Sequence, residues 1–200
     1  PYIDYVIYYY DVVPVFDTHP LIMVVDEVTY TTNSAGETSC VIHGYMDYVP
    51  LSINVDDSCD VSALGNGDII RYMTNATGSI VRIEHVYDCD KNVRSWGSAY
   101  NYGFYRFGDV VKIDKNPSNS SELLIKLGFA PDSIKERLNI LSTRDVKVMI
   151  CDTKRKKDQL YVGKITDIVD YYSDSENYDK MFCLVSHSPD CRYILFVIYR

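Results

Sequence analysis

The sequence predicts an all-β protein built from two small barrel-like or sandwich-like units, with one short helix. Three observations support this prediction. Many short apolar segments are bounded by turn residues, and Leu51–Val55 alternates strictly between apolar and polar residues. Gly-Asp corners, which bend the sheets of small barrels, precede apolar segments at Gly67-Asp68 and Gly108-Asp109. Tyrosine, which suits half-buried sheet surfaces, is abundant, with 19 Tyr against 6 Phe and 1 Trp.

The first unit is predicted over residues 16–90, after an extended N-terminal segment, residues 1–15. Its strands are rich in β-branched or alternating apolar residues and are expected at Leu21–Thr31, Ser39–Tyr45, Leu51–Val55, Ile69–Met73 and Ile80–Tyr87. Gly78 ends the turn between the last two strands, where a positive φ is needed. The polar stretch Cys89–Ser95 marks the boundary between the units.

The second unit is predicted over residues 94–200. Its strands are expected at Val110–Ile113, Leu123–Leu127, Val146–Cys151, Leu160–Val162, Ile165–Tyr172, Lys180–Ser186 and Arg192–Tyr199. A single helix is predicted near residues 131–142, because Ser133 and Glu136 match a capping box and three apolar residues share one helical face, namely Ile134, Leu138 and Leu141.

The N-terminal segment is the candidate assembly contact. Tyr2–Val15 is long and apolar, and only Asp4 and Asp11 carry charge. A free strand edge of this kind promotes aggregation, so the segment is expected either to pair within its own sheet or to join the sheet of a neighbouring subunit. The second hypothesis is favoured, with copies of the chain or other envelope or virion proteins as partners. The candidate contact residues are Tyr5, Val6, Ile7, Tyr8, Tyr9 and Tyr10.

Charge and cysteine content limit the classes of partner. The formal net charge of −8 argues against a protein that binds a phosphate backbone, so no nucleic-acid partner is expected. The one basic run, Lys154–Lys157, is interpreted as a solvated hairpin turn. No apolar stretch is long enough for a membrane span. The six cysteines form no Cys-x-x-Cys pair and suit assembly inside a reducing cell.

The sequence predicts no catalytic residue, no metal and no cofactor, and the chain is not expected to be an enzyme. None of the four histidines is paired with another His or Cys at ligand spacing. Two carboxylate clusters leave calcium open as an alternative to solvated acidic turns, which is the favoured interpretation. They comprise Asp56, Asp57 and Asp60, and Asp170, Asp174, Glu176 and Asp179.

Two stretches carry a family resemblance. Gly44–Asp88 contains the pattern Leu-x-x-Gly-Asp-Ile-Ile-x-Tyr at Leu64–Tyr72, and Val146–Tyr199 contains an Asp-Thr-Lys turn at Asp152–Lys154 followed by Ile-x-Asp-Ile at Ile165–Ile168. In these stretches the chain resembles the β-rich C-terminal region of clostridial surface proteins that carry S-layer homology domains. The resemblance implies a structural role in the cell envelope without known chemistry.

The leading hypothesis is therefore a non-catalytic structural module of an extracellular or cell-surface assembly, such as a surface layer or filament. The first alternative is a structural protein of a phage virion, which suits the cysteine content. The second alternative is a small barrel that binds oligonucleotides or oligosaccharides, because small barrels with Gly-Asp corners include such proteins.

Overall fold

The computed structural model describes residues 21–91, 93–94, 98–99, 103–116, 119–128, 134–140, 147–186 and 193–200. These residues are almost entirely β-structure in two sheets, which confirms the predicted all-β class and the two β units. Their only helical element is the 3-10 turn Ile165–Asp167, and none of their helices is long and apolar enough to cross a membrane. The candidate contact residues Tyr5–Tyr10 lie outside the described residues.

The first sheet contains six strands and closes into a five-stranded barrel. Its strands are β1 (Leu21–Thr32), β2 (Thr38–Met46), β3 (Val49–Val55), β4 (Ile69–Thr74), β5 (Ile80–Asp88) and β6 (Val93–Arg94). Their order is β3-β2-β1-β4-β5-β6, and a parallel contact between Val55 of β3 and Ile80 of β5 closes the barrel. A five-stranded Greek-key barrel of this kind is the architecture of the OB-fold.

Strand β1 is central to this barrel because its two halves have different partners. Leu21–Val24 pair with β4, whereas Val24–Thr32 pair with β2. A β-bulge between Val25 and Glu27 lies next to this change of partner and bends the strand. Residues 22–25 form a continuous buried run, as expected for a strand covered on both faces.

The second sheet contains eight strands. They are β7 (Ser98–Ala99), β8 (Gly103–Asn116), β9 (Asn119–Gly128), β10 (Ile134–Ile140), β11 (Lys147–Cys151), β12 (Leu160–Lys164), β13 (Lys180–Ser186) and β14 (Tyr193–Tyr199). Their order is β10-β9-β8-β13-β14-β11-β12, with β7 paired to β8 and with β11 parallel to β14.

The second sheet repeats part of the connectivity of the first. Strand β8 pairs with β13 up to Asp109 and with β9 from Asp109 onward, as β1 pairs with β4 and then β2. The amide of Val110 donates to the carbonyl of Asp179, as Val25 donates to Asp68, at 2.8 Å in both cases. The sequence suggested that a strand begins after the Gly108-Asp109 corner, and this expectation is wrong. The corner lies inside β8, where the strand changes partner.

Three hydrophobic clusters form the core. One is built from the first unit alone and one from the second unit alone. The third draws on both units, because Ile22 and Val24 of β1 point away from the barrel interior and pack with Phe182, Val197 and other residues of the second sheet. The hydroxyl of Tyr199 also donates to the carbonyl of Gly67 at 2.8 Å. The two units therefore share a buried interface.

The predicted helix near residues 131–142 is wrong. Residues 134–140 form strand β10, paired antiparallel with β9. Ile134, Leu138 and Leu141 share one face of a helix, but Leu138 and Ile140 also fit the two-residue period of a strand, so the segment fits both periods. A helix of three turns is marginal without packing, whereas β9 offers a ladder that places Leu138 opposite Ile125.

Candidate functional site

Positive charge is concentrated in one hairpin of the second unit. Residues 147–164 contain six Lys and Arg and two Asp, whereas residues 21–60, which supply β1, β2 and β3, contain seven Asp and Glu and no Lys or Arg. Exposed charges act over about one Debye length, roughly 8 Å at physiological ionic strength. The local sign, and not the total of −8, therefore decides which ligands each region attracts.

The basic hairpin, defined as residues 147–164, presents its cations on a turn with a fixed backbone. The structure confirms the predicted hairpin, with β11 and β12 paired along their length. The amide of Asp152 donates to the carbonyl of Gln159 at 2.8 Å, and the Thr153 hydroxyl donates to the carbonyl of Arg200 at 2.9 Å. Lys154–Lys157 are all exposed. The tip is thus a structured cationic surface.

Further cations extend along the same hairpin. The Arg155 guanidinium lies 4.0 Å from the centre of the Tyr161 ring, in a cation–π contact. Lys147 and Lys164 are both exposed and occupy directly opposite positions in the β11–β12 ladder. Like charges in such positions repel each other. An anion bound near them would relieve that repulsion.

Three tyrosines form a cluster beside the basic hairpin. The Tyr171 ring makes edge-on contacts with Tyr172, at 5.8 Å between ring centres, and with Tyr178, at 5.3 Å. Tyr172 is 63% exposed, which is high for a large aromatic residue. The Lys154 ammonium donates to the Asn177 side-chain oxygen at 3.4 Å. This contact joins the hairpin tip to the loop that carries Tyr178.

Two buried carboxylates hold the segment that carries these tyrosines. Asp170 accepts the amides of Ile113 at 2.8 Å and Ser173 at 2.7 Å, and Asp179 accepts the amide of Val169 at 2.8 Å. These bonds replace the ladder partners that a strand would have. The predicted strand Ile165–Tyr172 is therefore wrong, and this segment is a 3-10 turn followed by irregular structure.

The Asp179 carboxylate is fully buried and has one close cation. Arg200 donates to both of its oxygens, from Nε at 3.1 Å and from Nη2 at 2.9 Å. Burial raises the pKa of Asp179, and its hydrogen bonds and the Arg200 charge act in the opposite direction. Asp170 and Asp179, two members of the acidic cluster considered for calcium, are therefore structural groups that fix the loop.

The other acidic cluster forms turns on the first barrel. Asp56 accepts the Ser58 hydroxyl at 2.6 Å, and Asp60 accepts the Ser62 amide at 2.9 Å. These bonds lower the pKa of both carboxyls, so both stay ionised at neutral pH. The cluster borders a cavity of about 420 Å³ that also contacts Tyr30. Within the described part of the chain, no group of three or more His, Cys, Asp and Glu has a geometry that could hold a metal.

The outer face of β1, β2 and β3 is polar but carries no cation. His43 lies at its centre, with Nε2 at 2.9 Å from the Thr29 hydroxyl and Nδ1 at 2.7 Å from the Ser52 hydroxyl. In OB-folds, the face of strands 2 and 3 is the usual ligand surface. Here that surface is surrounded by carboxylates and does not suit a polyanion.

Two thiols lie at the interface between the units. A Cβ atom at position 67 would lie 2.6 Å from the Cys151 sulfur and 3.2 Å from the Cys89 sulfur, so both sulfurs approach the same backbone position. Both cysteines are free. The hydrogen bond with Cys89 and burial both raise the pKa of Cys151, which is therefore a thiol at neutral pH.

No protein-family model and no curated protein sequence matches the chain. Among solved structures, it is similar to the crystal structure of the p204 HINb domain, with 13% identity and a TM-score of 0.28 over 91% of this chain and 92% of that one. It is also similar to a murine DNA-binding protein bound with double-stranded DNA, with 10% identity and a TM-score of 0.26 over 90% of this chain and 93% of that one. TM-scores this low do not allow residue roles or functions of those proteins to be assigned to this chain.

The sequence predicts no nucleic-acid partner, whereas the second of these structures is of a protein bound with double-stranded DNA. The exclusion of nucleic acid does not stand, because it rested on the total charge of the chain. That total averages the acidic residues 21–60 with the basic hairpin, whose exposed cations the sequence analysis assigned to a solvated turn. The signal that could have located this surface was the local charge of residues 147–164.

Proposed function

We propose that the chain is a nucleic-acid-binding protein and that the basic hairpin contacts the phosphate backbone. The observation that carries this proposal is the exposed, backbone-fixed turn Lys154–Lys157 on a two-unit β protein with an OB-type first barrel. Cations that neutralise phosphates release counterions, and this release supplies most of the affinity for a polyanion. Because the backbone at the base of this turn is already held by hydrogen bonds, binding does not have to order it, which lowers the ordering cost.

The proposal assigns different roles to the two units. The first barrel has the OB architecture, but residues 21–60 carry no cation to pair with a phosphate. The second unit carries the basic hairpin and the tyrosine cluster on neighbouring loops. The proposed contact surface is therefore on the second unit and does not include the outer face of β2 and β3.

A salt titration with charge variants tests this function. The test variant is Lys156→Ala/Lys157→Ala, which removes two exposed cations from the hairpin tip, and the control is Lys91→Ala/Lys115→Ala, which removes the same charge from exposed sites elsewhere. Binding of a fluorescent oligonucleotide is measured by anisotropy over a range of salt concentrations.

We expect wild-type binding to weaken as salt rises. In the test variant the slope of log K against log salt should become shallower by about 2, because each lost phosphate contact removes roughly 0.9. The control should keep the wild-type slope. Absence of salt-dependent binding by the wild type, or equal slopes in the two variants, would contradict the proposal.

A further inference from the structure

The tyrosine cluster, Tyr171, Tyr172 and Tyr178, has features that phosphate binding does not explain. Tyr172 exposes most of its ring, although its backbone is pinned on either side by the Asp170–Ser173 hydrogen bond and by the bond from the Tyr171 amide to the carbonyl of Val110, at 2.9 Å. The backbone on either side of Tyr172 is therefore held in place, and the ring presents a flat apolar surface to solvent.

Two cations from neighbouring elements lie near this ring. The Lys112 ammonium lies over the Tyr172 ring at 6.0 Å from its centre, in a cation–π contact, and is held at 2.9 Å by Asp114. The Lys154 ammonium contacts Asn177, one residue before Tyr178. The buried carboxylates of Asp170 and Asp179 are turned inward to backbone amides. Two cations therefore lie close to the cluster, and the loop between Tyr172 and Tyr178 also carries the carboxylates of Asp174 and Glu176.

We infer that Tyr172, which makes an edge-on contact with Tyr171, stacks on the bases of single-stranded nucleic acid, so that the second unit selects unpaired strands. This inference rests on the proposed function. Every base has a π-face, and stacking on aromatic side chains is the usual way in which proteins bind single strands without reading their sequence. In a duplex both faces of each base are already stacked, so an exposed ring on a protein loop has no access to them.

Stacking and phosphate contacts make different demands on a ligand. Phosphate contacts weaken as salt rises and need no base, whereas stacking needs a base and persists at high salt. The two contributions can therefore be separated with three probes of equal length: oligothymidylate, its duplex, and an abasic deoxyribose-phosphate chain. A length of about 16 nucleotides covers the largest site of one OB barrel.

The test compares Tyr172→Ala with Tyr172→Phe, which keeps the ring and loses the hydroxyl. Tyr30→Ala is the matched control, because Tyr30 is also a tyrosine with high exposure, 59%, but lies on the first barrel. Anisotropy gives the affinity of each protein for each probe across salt concentrations. Circular dichroism confirms that each variant is folded.

We expect the wild type to bind oligothymidylate more tightly than either the duplex or the abasic chain. Tyr172→Ala should lose on the order of tenfold in affinity for oligothymidylate, with an unchanged salt slope and unchanged binding of the abasic chain. Tyr172→Phe and Tyr30→Ala should bind as the wild type does.

Two outcomes would overturn the inference and leave the proposed function intact: equal binding of oligothymidylate and abasic chain, or tighter binding of the duplex, each with the salt slope still dependent on Lys156 and Lys157. A Tyr172→Ala protein that binds oligothymidylate like the wild type would also overturn it. A wild type that binds none of the three probes would overturn both proposals.

Discussion

The close contact between the two units predicts a large effect of replacing Gly67 with alanine. Gly67 has a φ of +86°, and its Cβ would lie 2.6 Å from the Cys151 sulfur. Cys151 is buried and has a short side chain that cannot swing away, so the backbone of one unit would have to move. The carbonyl of Gly67 also accepts the Tyr199 hydroxyl, so that movement would strain an interface hydrogen bond.

The expected loss of unfolding free energy is the sum of two separable costs. An alanine in the left-handed backbone region costs about 1–2 kcal/mol, and forcing a methyl group into a packed interface costs about another 1–3 kcal/mol. Gly67→Ala should therefore lower the free energy of unfolding by about 2–5 kcal/mol. Gly78 provides the control, because its φ is +85° but a Cβ there would meet nothing within 4 Å. Gly78→Ala should lose only the first cost.

Urea unfolding measures the cost of the left-handed backbone and the cost of the close contact. It is applied to four variants: Gly67→Ala, Gly78→Ala, Cys151→Ala and Gly67→Ala/Cys151→Ala. The double variant removes the sulfur that a Cβ at position 67 would contact, so its loss should be smaller than the sum of the two single losses, by about 1–3 kcal/mol. Equal losses for Gly67→Ala and Gly78→Ala, with additive behaviour in the double variant, would refute close packing between the units at this position.

Two further predictions concern an ion pair and the N-terminal segment. Arg200→Met leaves the buried Asp179 carboxylate without its cation and should cost about 3–5 kcal/mol at pH 7 in urea unfolding. Because this change raises the already raised pKa of Asp179 further, the loss should shrink as the pH falls from 7 towards 4, and a loss independent of pH would contradict the assignment. Deletion of residues 1–13, which include Tyr5–Tyr10, should leave the protein folded but abolish self-association in light scattering; unchanged assembly would rule out that contact.

Most strands could be predicted from the sequence because their information is local. Strand β2 and the β4–β5 hairpin carry apolar residues between turn residues, and the turn before β5 has the glycine at positive φ that the sequence required. For residues 134–140 the same local reasoning predicted the wrong element, because the spacing of their apolar residues fits both a helix and a strand. The choice between helix and strand depended on pairing with β9, which lies outside the segment.

Closure of the barrel and contact between the units could not be predicted in this way. The parallel contact of Val55 with Ile80 joins residues separated by strand β4 and the loops on either side of it, and no local pattern marks it. The strand at Leu21–Thr31 was predicted, but no local feature shows that residues 22–25 are covered on both faces and that one of these faces meets the other unit. These features depend on tertiary contacts that periodicity does not encode.

The candidate surface shows the same division between local and distant information. The hairpin around Lys154–Lys157 was predicted correctly, because its turn and flanking strands are local features. The position of Tyr172 was not, because the segment before it has the composition of a strand. In this segment the Val169 amide donates to the Asp179 carboxylate and the Tyr171 amide to the carbonyl of Val110, and both partners are distant in sequence.

The charge distribution explains why an acidic chain remains compatible with the proposed binding of a polyanion. Repulsion from the carboxylates of residues 21–60 acts only within about a Debye length, roughly 8 Å in physiological salt. Attraction at Lys154–Lys157 is limited to the same range, and the two regions adjoin where Asp158, at the end of this turn, interacts with Asp26 of β1. The acidic barrel would then keep the polyanion away from the polar face around His43 and restrict it to the second unit. An OB barrel beside the proposed binding surface can thus limit where a nucleic-acid strand binds, without itself contacting that nucleic acid.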